Sequence, residues 1–105
     1  MTFQEFQHSV ASKTPPSDLS NPLLALWYDA QDDWETAHDY AQRENESENA
    51  WVHAYLHRKE GDLSNANYWY TRASRTMPEQ RIEDEWEFIV QELLKNEPQR
   101  KRVDD

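Results

Sequence analysis

Gly61 is the one glycine in a chain of 105 residues, and this scarcity constrains the fold more than any other feature. β-Hairpins use glycine freely in their tight turns, because glycine adopts positive φ angles without steric cost. A chain that has almost no glycine but contains much Ala, Leu, Glu, Gln and Arg favours helices over sheets. Gly61 follows a run without helix breakers, so we expect it to end a helix in the left-handed conformation.

Capping residues and apolar spacing predict an all-α fold, a compact bundle or array of five or six helices. The predicted helices cover residues 3–12, 21 to about 31, 33 to about 41, 47–60, 62 to about 77, and 78–95. The expected N-caps are Thr2, Asn21, Asp32 or Asp33, Ser47, and Asp62 or Ser64. Residues 1–96 are expected to form one helical domain, and residues 97–105 a mobile charged tail.

The predicted core is built from few, large side chains. Only 36% of the residues are apolar, but 12% are aromatic, and each aromatic side chain buries about 150–250 Å². The fifth predicted helix has an apolar stripe at helical spacing, formed by Leu63, Ala66, Trp69, Tyr70, Ala73 and Met77. The sixth has a similar stripe, formed by Ile82, Trp86, Ile89, Val90, Leu93 and Leu94.

Residues 50–78 resemble one helical pair of a tetratricopeptide repeat. The second helix carries the resemblance, with the small, aromatic, small and proline positions occupied by Ala66, Tyr70, Ala73 and Pro78. The first helix departs from the repeat, because His53 and His57 stand where it has apolar residues. Residues 51–73 are also similar to a group of small bacterial helical proteins that carry the same two segments. Both resemblances imply a helical domain, and neither implies a catalytic residue.

Charge and cysteine content exclude several classes of function. The net charge of −10 disfavours direct binding to nucleic acid or anionic lipid. The absence of cysteine excludes disulfides, thiol chemistry and Cys-based zinc sites. The longest apolar run, LLALWY, is far shorter than the roughly 20 residues that span a bilayer, and the N-terminus lacks a signal-peptide pattern. We therefore expect a soluble cytoplasmic protein without a cofactor.

The segment WVHAYLHRKEGD, residues 51–62, contains the candidate site. His53 and His57 lie four residues apart, on one side of a helix that is apolar, aromatic or His around nearly its whole circumference. This helix is therefore expected to be central and enclosed. The predicted site is an aromatic groove between the fourth and fifth helices, lined by Trp51, His53, His57, Arg58, Trp69, Tyr70 and Arg72. There Arg58 could bind a carboxylate or phosphate.

The sequence leaves several interpretations of this segment open. A noncatalytic interaction or adaptor module, binding a peptide or a small anionic ligand, is the leading one. A small enzyme or a metal protein is an alternative, with His53 and His57 needing a third ligand. That ligand could be His38, Asp33, Asp39 or Glu48, if folding brings one of them close. An acidic nucleic-acid mimic that inhibits a basic partner is another, because residues 29–48 carry eight acids and one base, and residues 79–92 carry six acids and one base. In the simplest interpretation the histidines and Arg58 only pair with groups on neighbouring helices.

Overall fold

The computed structural model describes residues 1–97, and these form six α-helices without a β-strand. The helices are α1 (Phe3–Ser12), α2 (Asn21–Ala30), α3 (Trp34–Ala41), α4 (Ser47–Glu60), α5 (Leu63–Arg72) and α6 (Ile82–Asn96). The predicted all-α fold is confirmed. The expected tail falls, apart from residue 97, outside the described part of the chain.

Four helices begin at side-chain caps. Thr2 and Glu5 form a reciprocal capping box at α1, Ser20 accepts from the backbone of α2, and Asp33 and Asp62 do so at α3 and α5. Such a cap stabilises a helix by about 1 kcal/mol. The structure thus selects Asp33 and Asp62 from the predicted alternatives, whereas the predicted cap Asn21 is the first residue of α2 itself.

Two further predictions about helix starts were wrong, the cap of α4 and the first residue of α6. Ser47 is the first residue of α4, and the N-cap is Glu46, which makes no side-chain cap. The last helix begins at Ile82 rather than at Pro78. The backbone carbonyl of Gln80 accepts a hydrogen bond from Arg58, so it is held by a tertiary contact. A helix that began at Pro78 would instead use this carbonyl within its own ladder.

The centre of the molecule is α4, as predicted. Its nine consecutive residues from Asn49 to His57 are all buried, because α2, α3, α5 and α6 all pack against it. Gly61 ends α4 with φ +91°. The amides of Gly61 and Asp62 donate to the carbonyls of Arg58 and His57, each at 3.0 Å, which reverses the chain directly into α5.

Helix α5 presents a narrower apolar face than its sequence predicts. Ala66, Tyr70 and Ala73 are buried against α4. Leu63, however, is 52% exposed, because it occupies the first turn of α5, just after the reversal at Gly61. Met77 lies beyond the end of the helix. None of the helices in residues 1–97 is long and apolar enough to cross a membrane.

Candidate functional site

Three histidines meet where α3, α4 and α5 pack together. His53 and His57 lie one turn apart on α4, with ring centroids separated by 4.9 Å. His38 of α3 reaches both, at centroid distances of 4.6 and 5.2 Å. Its Nε2 is 3.0 Å from Nε2 of His53, and one nitrogen of each ring lies within 4.8 Å of the others. We call these three side chains the histidine cluster.

Two tryptophans hold the histidine cluster in place. Trp69 of α5 stacks on His53 with a centroid distance of 4.1 Å, and Trp34 stacks on His38 at 4.9 Å. The indole nitrogen of Trp34 donates to the backbone carbonyl of Leu56 at 2.9 Å, which fixes this ring against α4. The imidazoles of His38 and His53 are therefore packed on flat aromatic faces, whereas His57 meets the ring of Trp34 edge-on, at 5.8 Å.

Burial keeps two of the imidazoles uncharged near neutral pH. His53 is 6% exposed, and desolvation, followed by the neighbouring charges of His38 and His57, lowers its pKa to about 4. The pKa of His38 is also lowered, mainly by burial and then by His57. A neutral imidazole has one N–H and one lone pair. Between the two Nε2 atoms, one ring therefore donates and the other accepts.

His57 is oriented by a carboxylate. Its Nδ1 lies 2.8 Å from Oε2 of Glu60, one turn further along α4. An ionised carboxylate can only accept, so Nδ1 carries the hydrogen. The Nε2 atom, 3.5 Å from the side-chain amide of Asn65, is then left with its lone pair whenever the ring is neutral.

A pocket of about 230 Å³ adjoins the histidine cluster. Its lining comes from the end of α3, the following loop, α4 and α5, and consists of Ala41, Gln42, Glu44, Asn45, Ala50, His53, Trp69 and Arg72. The guanidinium of Arg72 rests 5.6 Å from the ring centroid of Trp69 and donates to the hydroxyl of Tyr68 at 3.1 Å. It forms no ion pair with a carboxylate in residues 1–97.

The seven predicted site residues do not share one groove. The pocket brings together His53, Trp69 and Arg72, and His57 lies beside them in the histidine cluster. The other three, Trp51, Arg58 and Tyr70, face α6. Arg58 forms an ion pair with Glu85 at 2.6 Å, Tyr70 donates to the same carboxylate, and the ring of Trp51 is covered by the guanidinium of Arg75.

Several residues around these sites were not singled out from the sequence. Glu85 is 1% exposed, and helical spacing could have revealed it, because it lies three residues after Ile82 and four before Ile89 on the apolar face of α6. Glu60 could have been found in the same way, one turn after His57. Gln42, Glu44 and Asn45 carried no such signal, since a loop brings them to the pocket.

No protein-family model, curated protein or solved structure matches this chain. The likeness to the tetratricopeptide repeat and to small bacterial helical proteins stays a prediction, and the function is argued from the geometry alone.

Proposed function

We propose that this chain is a noncatalytic binding module that takes up a small carboxylate-bearing ligand in the pocket beside His53. The observation that carries the proposal is that Arg72, whose guanidinium pairs with no carboxylate in residues 1–97, and the buried His53 line one pocket with an aromatic wall. This retains the interaction function predicted from the sequence and confines it to His53, Trp69 and Arg72.

Nδ1 of His53 is the more informative group. This side chain is almost fully buried, its Nε2 is occupied by His38, and Nδ1 has no hydrogen-bond partner in residues 1–97. A buried polar group without a partner costs about 1–3 kcal/mol. If Nε2 accepts from His38, Nδ1 carries the hydrogen and can donate it to a ligand. An anionic ligand oxygen is the natural acceptor.

Arg72 supplies the positive charge that a carboxylate requires. A guanidinium binds a carboxylate through two parallel hydrogen bonds, which are stronger than neutral ones. The chain as a whole is acidic, but charges more than about 8 Å away are largely screened at physiological ionic strength. Glu44 also lines the pocket, but its two oxygens accept from the side-chain amides of Asn21 and Asn49, at 2.7 and 3.1 Å, and it forms no ion pair with Arg72.

The size of the pocket limits the ligand. A volume of 230 Å³ holds about eight water molecules at roughly 30 Å³ each, and sites for drug-sized ligands measure about 300–1,000 Å³. The pocket therefore suits a short organic acid or the terminal carboxylate of a peptide, with Trp69 as the flat wall against which its carbon atoms pack.

The proposal can be tested by calorimetric titration. The ligands are acetate, succinate, and one tripeptide prepared with either a free or an amidated C-terminus. We expect saturable binding of at least one carboxylate, and Arg72→Gln should weaken it by tenfold or more. Arg81→Gln is the matched control, because Arg81 pairs with Asp84 at the exposed start of α6, and it should bind like the wild type.

Binding of the free peptide alone identifies a peptide partner, whereas binding of succinate or acetate identifies a free acid. If none binds at about 10 mM, or if Arg72→Gln binds as well as the wild type, the proposal is wrong.

A further inference from the structure

We propose that His38, His53 and His57 bind one divalent transition-metal ion, with zinc as the best match, through one ring nitrogen each. This site lies beside the carboxylate pocket and does not depend on it. Its evidence is the convergence of three imidazoles from two helices, whereas the function proposed above uses only Nδ1 of His53 together with Arg72 and Trp69.

The distances between the imidazoles fit a tetrahedral ion. Zinc binds histidine nitrogens at about 2.0–2.1 Å, so neighbouring ligand atoms in a tetrahedron lie about 3.3 Å apart. The Nε2 atoms of His38 and His53 are 3.0 Å apart, and one nitrogen of each of the three rings lies within 4.8 Å of the other two. Binding would therefore require the third ring to approach by at most about 1.5 Å, which a small side-chain rotation achieves.

The partners of His57 resemble the surroundings of a metal-bound histidine. Such histidines almost always donate their second ring nitrogen to a carboxylate or a carbonyl, which fixes the tautomer and makes the ligand nitrogen more basic. Glu60 holds Nδ1 of His57 at 2.8 Å, so Nε2 is the nitrogen left for the ion. Trp34 and Trp69, stacked on the other two rings, supply apolar surroundings on two sides of the site.

The donor atoms decide which class of ion fits. Three nitrogens without a thiolate favour zinc, copper, nickel or cobalt, whereas calcium and magnesium require oxygen ligands. In residues 1–97, no fourth His, Asp or Glu joins this group, so the fourth position of a tetrahedral ion is left for water or an external ligand. A second group, His57, Glu60 and Asp62, has two exposed acids. There Glu60 is paired with His57, and Asp62 caps α5.

Metal binding can be measured directly on the chelator-treated, metal-free full-length chain. Calorimetric titration with zinc chloride should show micromolar or tighter affinity. Elemental analysis of the dialysed complex should show one ion per chain. Cobalt chloride should produce the intense visible absorption of a four-coordinate ion. His38→Gln should lower the affinity at least 100-fold, and Glu60→Gln, which keeps all three ligands, by about 10–100-fold.

His8→Gln is the matched control, because His8 is an exposed histidine of α1, and its affinity should equal that of the wild type. His38 is only partly buried, so its variant should keep the helical circular dichroism that shows a folded chain. Arg72→Gln should leave zinc binding intact, which separates this site from the carboxylate pocket. The proposal is overturned if the wild type binds no zinc at micromolar concentrations. It is also overturned if folded His38→Gln binds zinc as well as the wild type, which would assign the ion to the exposed group at Glu60 and Asp62.

Discussion

Replacing Arg58 with Met should destabilise the fold strongly, although the residue that changes is charged. Arg58 joins α4 to α6 through Glu85, at 2.6 Å, and through the carbonyl of Gln80. Its side chain is 14% exposed and that of Glu85 only 1%. Without Arg58, the buried carboxylate keeps the Tyr70 hydroxyl as its partner but has no positive charge to balance it. Breaking a buried ion pair in this way costs about 3–5 kcal/mol.

Urea denaturation of Arg58→Met measures this cost. With a denaturant dependence of about 1.5 kcal/mol per M, as for a small protein, the midpoint should fall by about 2–3 M. Arg81→Met is the matched control. Its pair with Asp84 is longer, at 3.3 Å, and exposed, so its loss should leave the urea midpoint almost unchanged. Adding Glu85→Leu to Arg58→Met should recover part of the loss, because it removes the unpaired charge. If Arg58→Met costs no more than the control, Arg58 does not hold α4 to α6, and the ligand-binding role predicted from the sequence becomes the better explanation.

Two further predictions concern backbone conformation and alkaline pH. Gly61→Ala should lower the free energy of unfolding, measured by thermal denaturation, by about 1 kcal/mol. The φ angle is +91° and the added Cβ meets nothing within 4 Å, so only backbone strain contributes. Asparagine tolerates this conformation better, so Gly61→Asn should lose less stability, and equal losses in the two variants would contradict this explanation. Burial, with a contribution from Glu85, raises the pKa of Tyr70 above its ordinary value. The unfolded chain releases this proton near pH 10 while the folded chain retains it, so the free energy of unfolding should fall as pH rises above about 10. The fall should be shallower in Tyr70→Phe, and an equal slope in both chains would refute the assignment.

Local signals predicted most of the helices. The capping residues Thr2, Asp33 and Asp62, and the left-handed stop at Gly61, act within a few residues of themselves, so they can be read from a single stretch of chain. The start of α6 could not be found in this way. Pro78 carries a genuine local signal for a helix start, but the contact between Arg58 and Gln80 joins residues far apart in the sequence, and it overrides that signal.

The candidate site was predicted only in part, because the sequence shows which residues share one side of a helix but not which helices pack together. The spacing of His53 and His57 places both on one side of α4, whereas Arg58 lies about 100° further around the helix. The groove predicted from the sequence grouped these three, and the structure separates them as the helical rotation requires. His38 was one of several possible partners for the pair, and only the packing of α3 on α4 places it there.

The nearly complete burial of α4 has a practical consequence for studying this protein. From Asn49 to His57 there is no exposed position, so labels or crosslinkers cannot be attached there without disturbing the fold. The same burial means that a variant in this stretch changes stability and binding together, and the two effects need separate measurements. Exposed positions of α5, such as Ser64 and Asn67, offer places for a fluorophore. A probe at these positions can report on events at the histidine cluster without entering it.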